Sequence, residues 1–185
     1  MIRKLTIAMA LGSVLAMPVQ AETYGVLMKT LSNPFWGAME LGVREGAQEA
    51  GVEYYLQAVE SDQAAEPQLN VCNTMLERKP DAMITAAINS TILLPCLKRA
   101  NSMGIPVVDL DGNLYHKIAA DAGVSISFSI GSDNEAAGAQ GAEYLVSKLG
   151  KGAKGPVLVI EGLSGNITGQ KRACLLYTSD AADEG

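Results

Sequence analysis

From Thr23 onward, short β-rich runs take turns with helix-patterned runs, and this alternation constrains the chain more than any other feature. "TYGVLMK", "VEYYLQAV", "DAMITAA", "IPVVDLD", "GVSISFSIGSD" and "GPVLVIEG" read as strands, rich in β-branched or aromatic residues and bounded by turn formers. Between them, "PFWGAMELGVREGAQEAG" sets Trp36, Met39, Val43 and Ala47 at helical spacing. "AAEPQLNVCNTMLERK" does the same with Leu69, Cys72 and Leu76. "STILLPCLKRANSMG" and "NEAAGAQGAEYLVSKLG" are further helices, ended by Gly104 and Gly150. Strands alternating with helices build βαβ units, so the expected fold class is α/β with a doubly wound parallel sheet.

Ahead of this pattern the chain reads as a removable leader. Arg3 and Lys4 precede the apolar run "LTIAMALGSVLAM", and "PVQA" ends in the small residue a signal peptidase accepts. Residues 1–21 are therefore expected to form a secretory signal cleaved after Ala21. Its apolar core is too short for a permanent span, and no later run approaches the ~18 apolar residues a span needs. The mature protein is expected to be exported and soluble. The whole chain carries 14 basic and 20 acidic residues, a net charge of −6. Basic residues cluster only in "GKGAKG" and "QKR", so nucleic acid is not an expected partner.

The polar residues gather at one end of the strand pattern. "KTLSN" follows the first strand, "NST" the third, "DLDGN" ends the fourth and "EGLSGN" follows the last. In open parallel sheets, ligands bind outside the carboxyl ends of the strands, and all four clusters fall on that edge. Within "KTLSNPFW", Lys29, Asn33, Phe35 and Trp36 place hydrogen-bonding groups beside two aromatic rings. Structural roles compete for these residues. Asn33 can cap the helix that Pro34 opens, Trp36 shares a stripe with Met39, and Lys29 can pair with Asp109 or Asp111. His116 is the single histidine and reads as a surface residue without metal-binding spacing. No metal or cofactor is expected. Asp109 and Asp111 alternate along one strand, which leaves an exported sugar-active enzyme with paired carboxylates as an alternative.

"KTLSNPFW", "IPVVDLD", "SDN" and "IEGLSGN", in this order across residues 23–172, resemble periplasmic sugar-binding proteins of the ribose/D-allose type. These are receptors of ABC transporters. The resemblance implies two doubly wound lobes joined by a hinge, with a monosaccharide between them. Residues 22–131 would form most of the N-terminal lobe and residues 132–172 the start of a second lobe that is incomplete here. Lys29 and Asn33 would meet sugar hydroxyls, and Phe35 and Trp36 the pyranose ring. Asp111 matches the family's hydroxyl-accepting carboxylate, Asn166 an amide from the second lobe, and Arg172 its arginine. Gly112 departs from the pattern, which carries a charged or polar ligand there, and Asn113 is the expected substitute. The resemblance implies a monomer in the periplasm that delivers sugar to an ABC-transporter membrane permease. A chemotaxis receptor without a transport role is a further alternative.

"CLLYTSDAADEG" does not continue the pattern. Residues 173–185 resemble translated read-through of a sequencing adapter and are expected to be non-native. Setting Cys174 aside leaves Cys72 and Cys96, on consecutive helices that right-handed crossovers place on one face of the sheet. In an exported chain the pair is expected to form a disulfide, the alternative being two buried thiols.

Overall fold

A computed structural model of the chain describes residues 21–173, apart from 113, 115 and 165. The leader before Ala21, Asn113 and the tail beyond Ala173 thus lie outside the described residues. In chain order the elements are β1 (Thr23–Leu27), α1 (Pro34–Ala50), β2 (Glu53–Gln57), α2 (Ala65–Leu76) and β3 (Ala82–Thr85). There follow α3 (Leu94–Ser102), β4 (Val107–Leu110), α4 (His116–Asp121), β5 (Phe128–Ile130) and α5 (Asn134–Leu149). The strands form one parallel sheet in the order β2-β1-β3-β4-β5. From β1 the chain steps outward to β2, then crosses β1 to β3 and continues the other way. The direction therefore reverses between β1 and β3. Right-handed crossovers then set α1 on one face and α2 and α3 on the other.

Local chemistry explains the helix ends. Asn33 Oδ1 accepts the Phe35 N–H at 3.0 Å, and Pro34 occupies the first helical position, where its missing N–H costs nothing. Gly51 closes α1 at φ 66°, a left-handed conformation that glycine adopts without a Cβ penalty. Trp36 and Ala47 are buried, with Met39 and Val43 half-buried between them, so the apolar stripe of α1 packs as its spacing predicts. On the α2/α3 face, Leu27, Met83 and Val107 from the sheet meet Cys72, Met75 and Leu76 from α2. Cys96, Leu97 and Ala100 from α3 complete this layer. Burying each large side chain of this kind contributes about 1.5–3 kcal/mol. The Cys72 and Cys96 sulfurs are joined in the structure, with their Cα atoms 6.2 Å apart.

Two elements differ from expectation. "GPVLVIEG" forms no strand, and Leu158 and Ile160 within it are each 87 % exposed. β-rich composition is insufficient without a neighbour to supply ladder hydrogen bonds, and among the described residues no strand pairs with this run. Conversely, α4 is a six-residue helix in a stretch that carries no helical pattern. It buries Ala119 and closes an i,i+4 pair between Lys117 and Asp121 at 2.8 Å, too little periodicity to read in advance. Helical conformation resumes at residues 167–173. Among the described residues no helix is long and apolar enough to cross a membrane.

Candidate functional site

Lys29 lies one residue beyond Met28, which follows β1, at the edge where the sheet's direction reverses. Its carbonyl accepts the Val59 N–H at 2.9 Å, which ties the loop after β1 to the one after β2. The residue is 3 % exposed, and a buried ammonium needs compensation. It finds two partners. Nζ donates to Asp111 Oδ2 at 3.1 Å, and it sits 4.8 Å from the centroid of the Trp36 ring. Lys29 thus links the end of β1, the first turn of α1 and the end of β4.

Asp111 reaches this position because β4 ends at Leu110 and the chain then turns sharply. Its N–H donates to Ile130 O at 2.7 Å, and its φ is 67°, a left-handed conformation that aspartate tolerates better than most residues. Gly112 follows at φ 62°, so two successive residues are left-handed. A side chain at position 112 would strain this turn, which gives Gly112 a physical reason. Asp109 and Asp111 consequently do not share one strand face as strict alternation implies, because Asp111 is already in the turn.

The two aromatics part company. Trp36 is 4 % exposed and packs beneath Lys29, whereas Phe35 is 52 % exposed. Their rings meet edge to face, with centroids 4.9 Å apart and planes at 87°. Asn33 is exposed and uses its carbonyl as the α1 cap. Its amide nitrogen carries the donors that a hydroxyl would accept. Together these residues offer a cation, a carboxylate, an amide and an aromatic edge around the end of β1 and the start of α1. That combination suits a ligand with a rim of hydroxyls and apolar C–H faces.

The residues expected from the later segment make other contacts. Asn166 Oδ1 accepts the Gly169 N–H at 3.3 Å and so starts the helical turn at 167–173. Arg172 Nε donates to Asn134 Oδ1 at 2.8 Å, at the beginning of α5. An open cavity of about 350 Å³ lies between this segment and the loop after β4, lined by Gly112, Leu114, His116, Lys117 and Lys171. Asn113 lies outside the described residues.

Behind Asp111 stands a buried polar group of which the sequence pointed to Asp109 but not to Ser129. Asp109 is fully buried, with Ser129 donating to its Oδ2 at 3.0 Å. His116 Nε2 lies 2.6 Å from the same serine oxygen. Burial pushes the Asp109 carboxyl up from its ordinary value of 3.8 to about 6. Hydrogen bonds from Ser129 and the Leu114 backbone oppose this, the charge of Asp111 adds to it, and Lys29 opposes it. Ser129 bridges Asp109 and His116, an order that does not place the imidazole between serine and carboxylate as a hydrolytic triad would. The signal for Asp109 was available in "VVDL", since Val107 and Asp109 alternate onto the same buried face. Ser129 and His116 carried no comparable signal.

The fold defines a class: an α/β domain with a parallel, doubly wound sheet that gathers Lys29, Trp36 and Asp111 at its carboxyl edge. The chain belongs to the periplasmic binding protein family, whose domain model matches residues 24–178. It is 34 % identical over 152 residues to the D-allose-binding periplasmic protein of Escherichia coli (strain K12), covering 82 % of this chain and 49 % of that protein. It is 27 % identical over 150 residues to the ribose import binding protein RbsB of Bacillus subtilis (strain 168), covering 81 % of this chain and 46 % of that one. Among solved structures, it resembles an ABC transporter periplasmic solute binding protein from Actinobacillus succinogenes 130z with bound D-allose. That match has a TM-score of 0.77 at 31 % identity and covers 88 % of this chain and 56 % of the other. The chain thus spans about half the length of the curated relatives it matches.

Proposed function

We propose that this chain belongs to a periplasmic receptor that captures a monosaccharide of the allose or ribose kind and passes it to an ABC-transporter membrane permease. The observation that carries the reading is the Lys29–Asp111 pair packed on Trp36 at the point where strand direction reverses. In this reading Asp111 accepts sugar hydroxyls, Lys29 and Asn33 donate to them, and Phe35 covers an apolar face. Trp36 acts from below, by fixing Lys29. Asn113 is assigned beside Asp111, and Asn166 and Arg172 are the groups assigned to the facing side. Residues 1–21 direct export and are removed, the boundary between lobes falls at residues 131–132, and the receptor works as a monomer. Relatives that bind D-allose or ribose, one of them solved with D-allose in place, support this choice of sugar.

Titration of the chain against a panel of pentoses and hexoses, followed by NMR shifts, tests the reading. Binding between two lobes depends on groups from both sides and on water exclusion. The chain alone is expected to bind allose or ribose saturably at about millimolar. Asp111→Asn keeps the left-handed turn and the side-chain shape but removes the charge, and it should weaken binding at least about tenfold, the loss of one charge-assisted bond. Saturable binding of none of these sugars, or an Asp111→Asn variant that binds as tightly as the parent, would rule the reading out.

A further inference from the structure

Gln68 is the one fully buried polar residue of α2, and it faces the loops after β1 and β3. Its Nε2 donates to Ala86 O at 2.9 Å and to Met28 O at 3.3 Å. Its Oε1 accepts the Ile88 N–H at 3.0 Å. Met28 precedes Lys29 in the loop after β1, while Ala86 and Ile88 lie in the loop after β3. That second loop continues into Asn89, whose Oδ1 accepts the Ile92 N–H at 2.8 Å and organises the approach to α3. β3 is seated between β1 and β4, so its loop lies between the backbone of Lys29 and that of Asp111.

We infer that Gln68 is a positioning residue for the ligand site: its single amide fastens the loop carrying Lys29 to the loop after β3. This rests on the sugar-binding reading given above. The amide suits the task because one planar group supplies a donor side for two strand-end carbonyls and an acceptor side for one N–H. Parallel strand ends leave such groups beyond the last ladder bond, and burying them unpaired is costly. Anchorage comes from the helix beneath. Cys72 lies one turn along α2 on the same face and is joined to Cys96 of α3, so Gln68 projects from a helix tied to its neighbour. A side chain that only filled the core would not need a polar end. A residue that only closed α2 would not reach two loops 40 and 20 positions away.

The test compares the full chain with its Gln68→Met and Gln68→Glu variants by NMR amide exchange and by titration with allose and ribose. Gln68→Met retains the length without any hydrogen bond. Exchange at Ile88 should accelerate about tenfold or more, the factor set by one lost buried bond, while the Gly25 and Ile84 amides of the β1–β3 ladder change far less. Affinity for the bound sugar should fall about tenfold, because Lys29 and its neighbouring loop no longer hold a common geometry. Gln68→Glu retains the acceptor for Ile88 but turns the donor side into an oxygen facing two carbonyls. Ile88 should stay protected and affinity should still fall. Uniform acceleration across the ladder, unchanged exchange at Ile88 in Gln68→Met, or parental affinity in both variants would overturn the assignment. If the parent chain binds neither sugar, the ligand reading falls by itself, and the contrast between Ile88 and the ladder still decides whether the two loops are fastened through Gln68.

Discussion

Asp109 concentrates the energetic tension of the site in one side chain. Its Oδ1 is buried with no hydrogen-bond partner among the described residues, and so is Thr85 Oγ1 on the paired position of β3. A neutral carboxyl tolerates such a place better than a carboxylate does, which is why its pKa rises to about 6. The sign follows from linkage. With the folded value above the unfolded one, this group's stabilisation is complete below about pH 4 and is lost as pH climbs through about 6. The two pKa values correspond to a loss on the order of 3 kcal/mol. Asp109→Asn keeps an acceptor for Ser129 and cannot ionise. Its stability should exceed that of the parent at pH 7, with the gap closing toward pH 4. Urea unfolding at several pH values measures this, and parallel profiles for the two proteins would exclude an ionising, strained Asp109.

At the scale of elements, the link between α2 and α3 is the feature most open to a chemical test. Its cysteines lie 24 residues apart, a loop whose closure contributes about 3 kcal/mol in the chain-entropy account. In a Cys174→Ser background, the denatured protein should take up alkylating reagent only after reduction, and reduction should lower the unfolding temperature. Two thiols labelled without reductant would show that the bridge does not form in solution. The helix pattern of α1 was readable because Trp36, Met39, Val43 and Ala47 repeat at helical spacing with a cap and a proline in front. The fate of "GPVLVIEG" was not readable, because strand composition reports suitability for a sheet and says nothing about whether a partner is in reach. Gln68 could have been noticed, since it stands one turn before Cys72 on an otherwise apolar stripe.

For the molecule as a whole, packing is uneven along the chain. β1 to β4 and their helices enclose the core, while β5 is exposed along its length and Phe128 and Ile130 lie open. Limited proteolysis should therefore cut beyond about residue 133 first, within residues 151–164, and leave residues 22–131 intact for much longer. Early cleavage between β1 and α4, with the later segment protected, would contradict this distribution. The same unevenness bears on ligand binding. Lys29, Phe35, Trp36 and Asp111 are joined by contacts among themselves, whereas Asn166 and Arg172 are engaged in contacts of their own.

Periodicity and punctuation in the sequence alone were enough for the parallel α/β class, the helix of residues 34–50 and the carboxyl-edge location of the first three polar clusters; the fourth, "EGLSGN", follows no strand among the described residues. These depend on local preference and on which residues must hide from water, and both are written along the chain. The pairing of Lys29 with Asp111, the division of labour between Phe35 and Trp36, and the junction of two loops at Gln68 were decided only by the tertiary structure. Lys29 and Asp111 lie 82 positions apart, and their contact depends on strand order, on a left-handed turn after β4 and on which strand ends lie side by side. Such a contact forms when desolvated charges must find compensation among whatever the fold brings near, and no local pattern records which partner that will be.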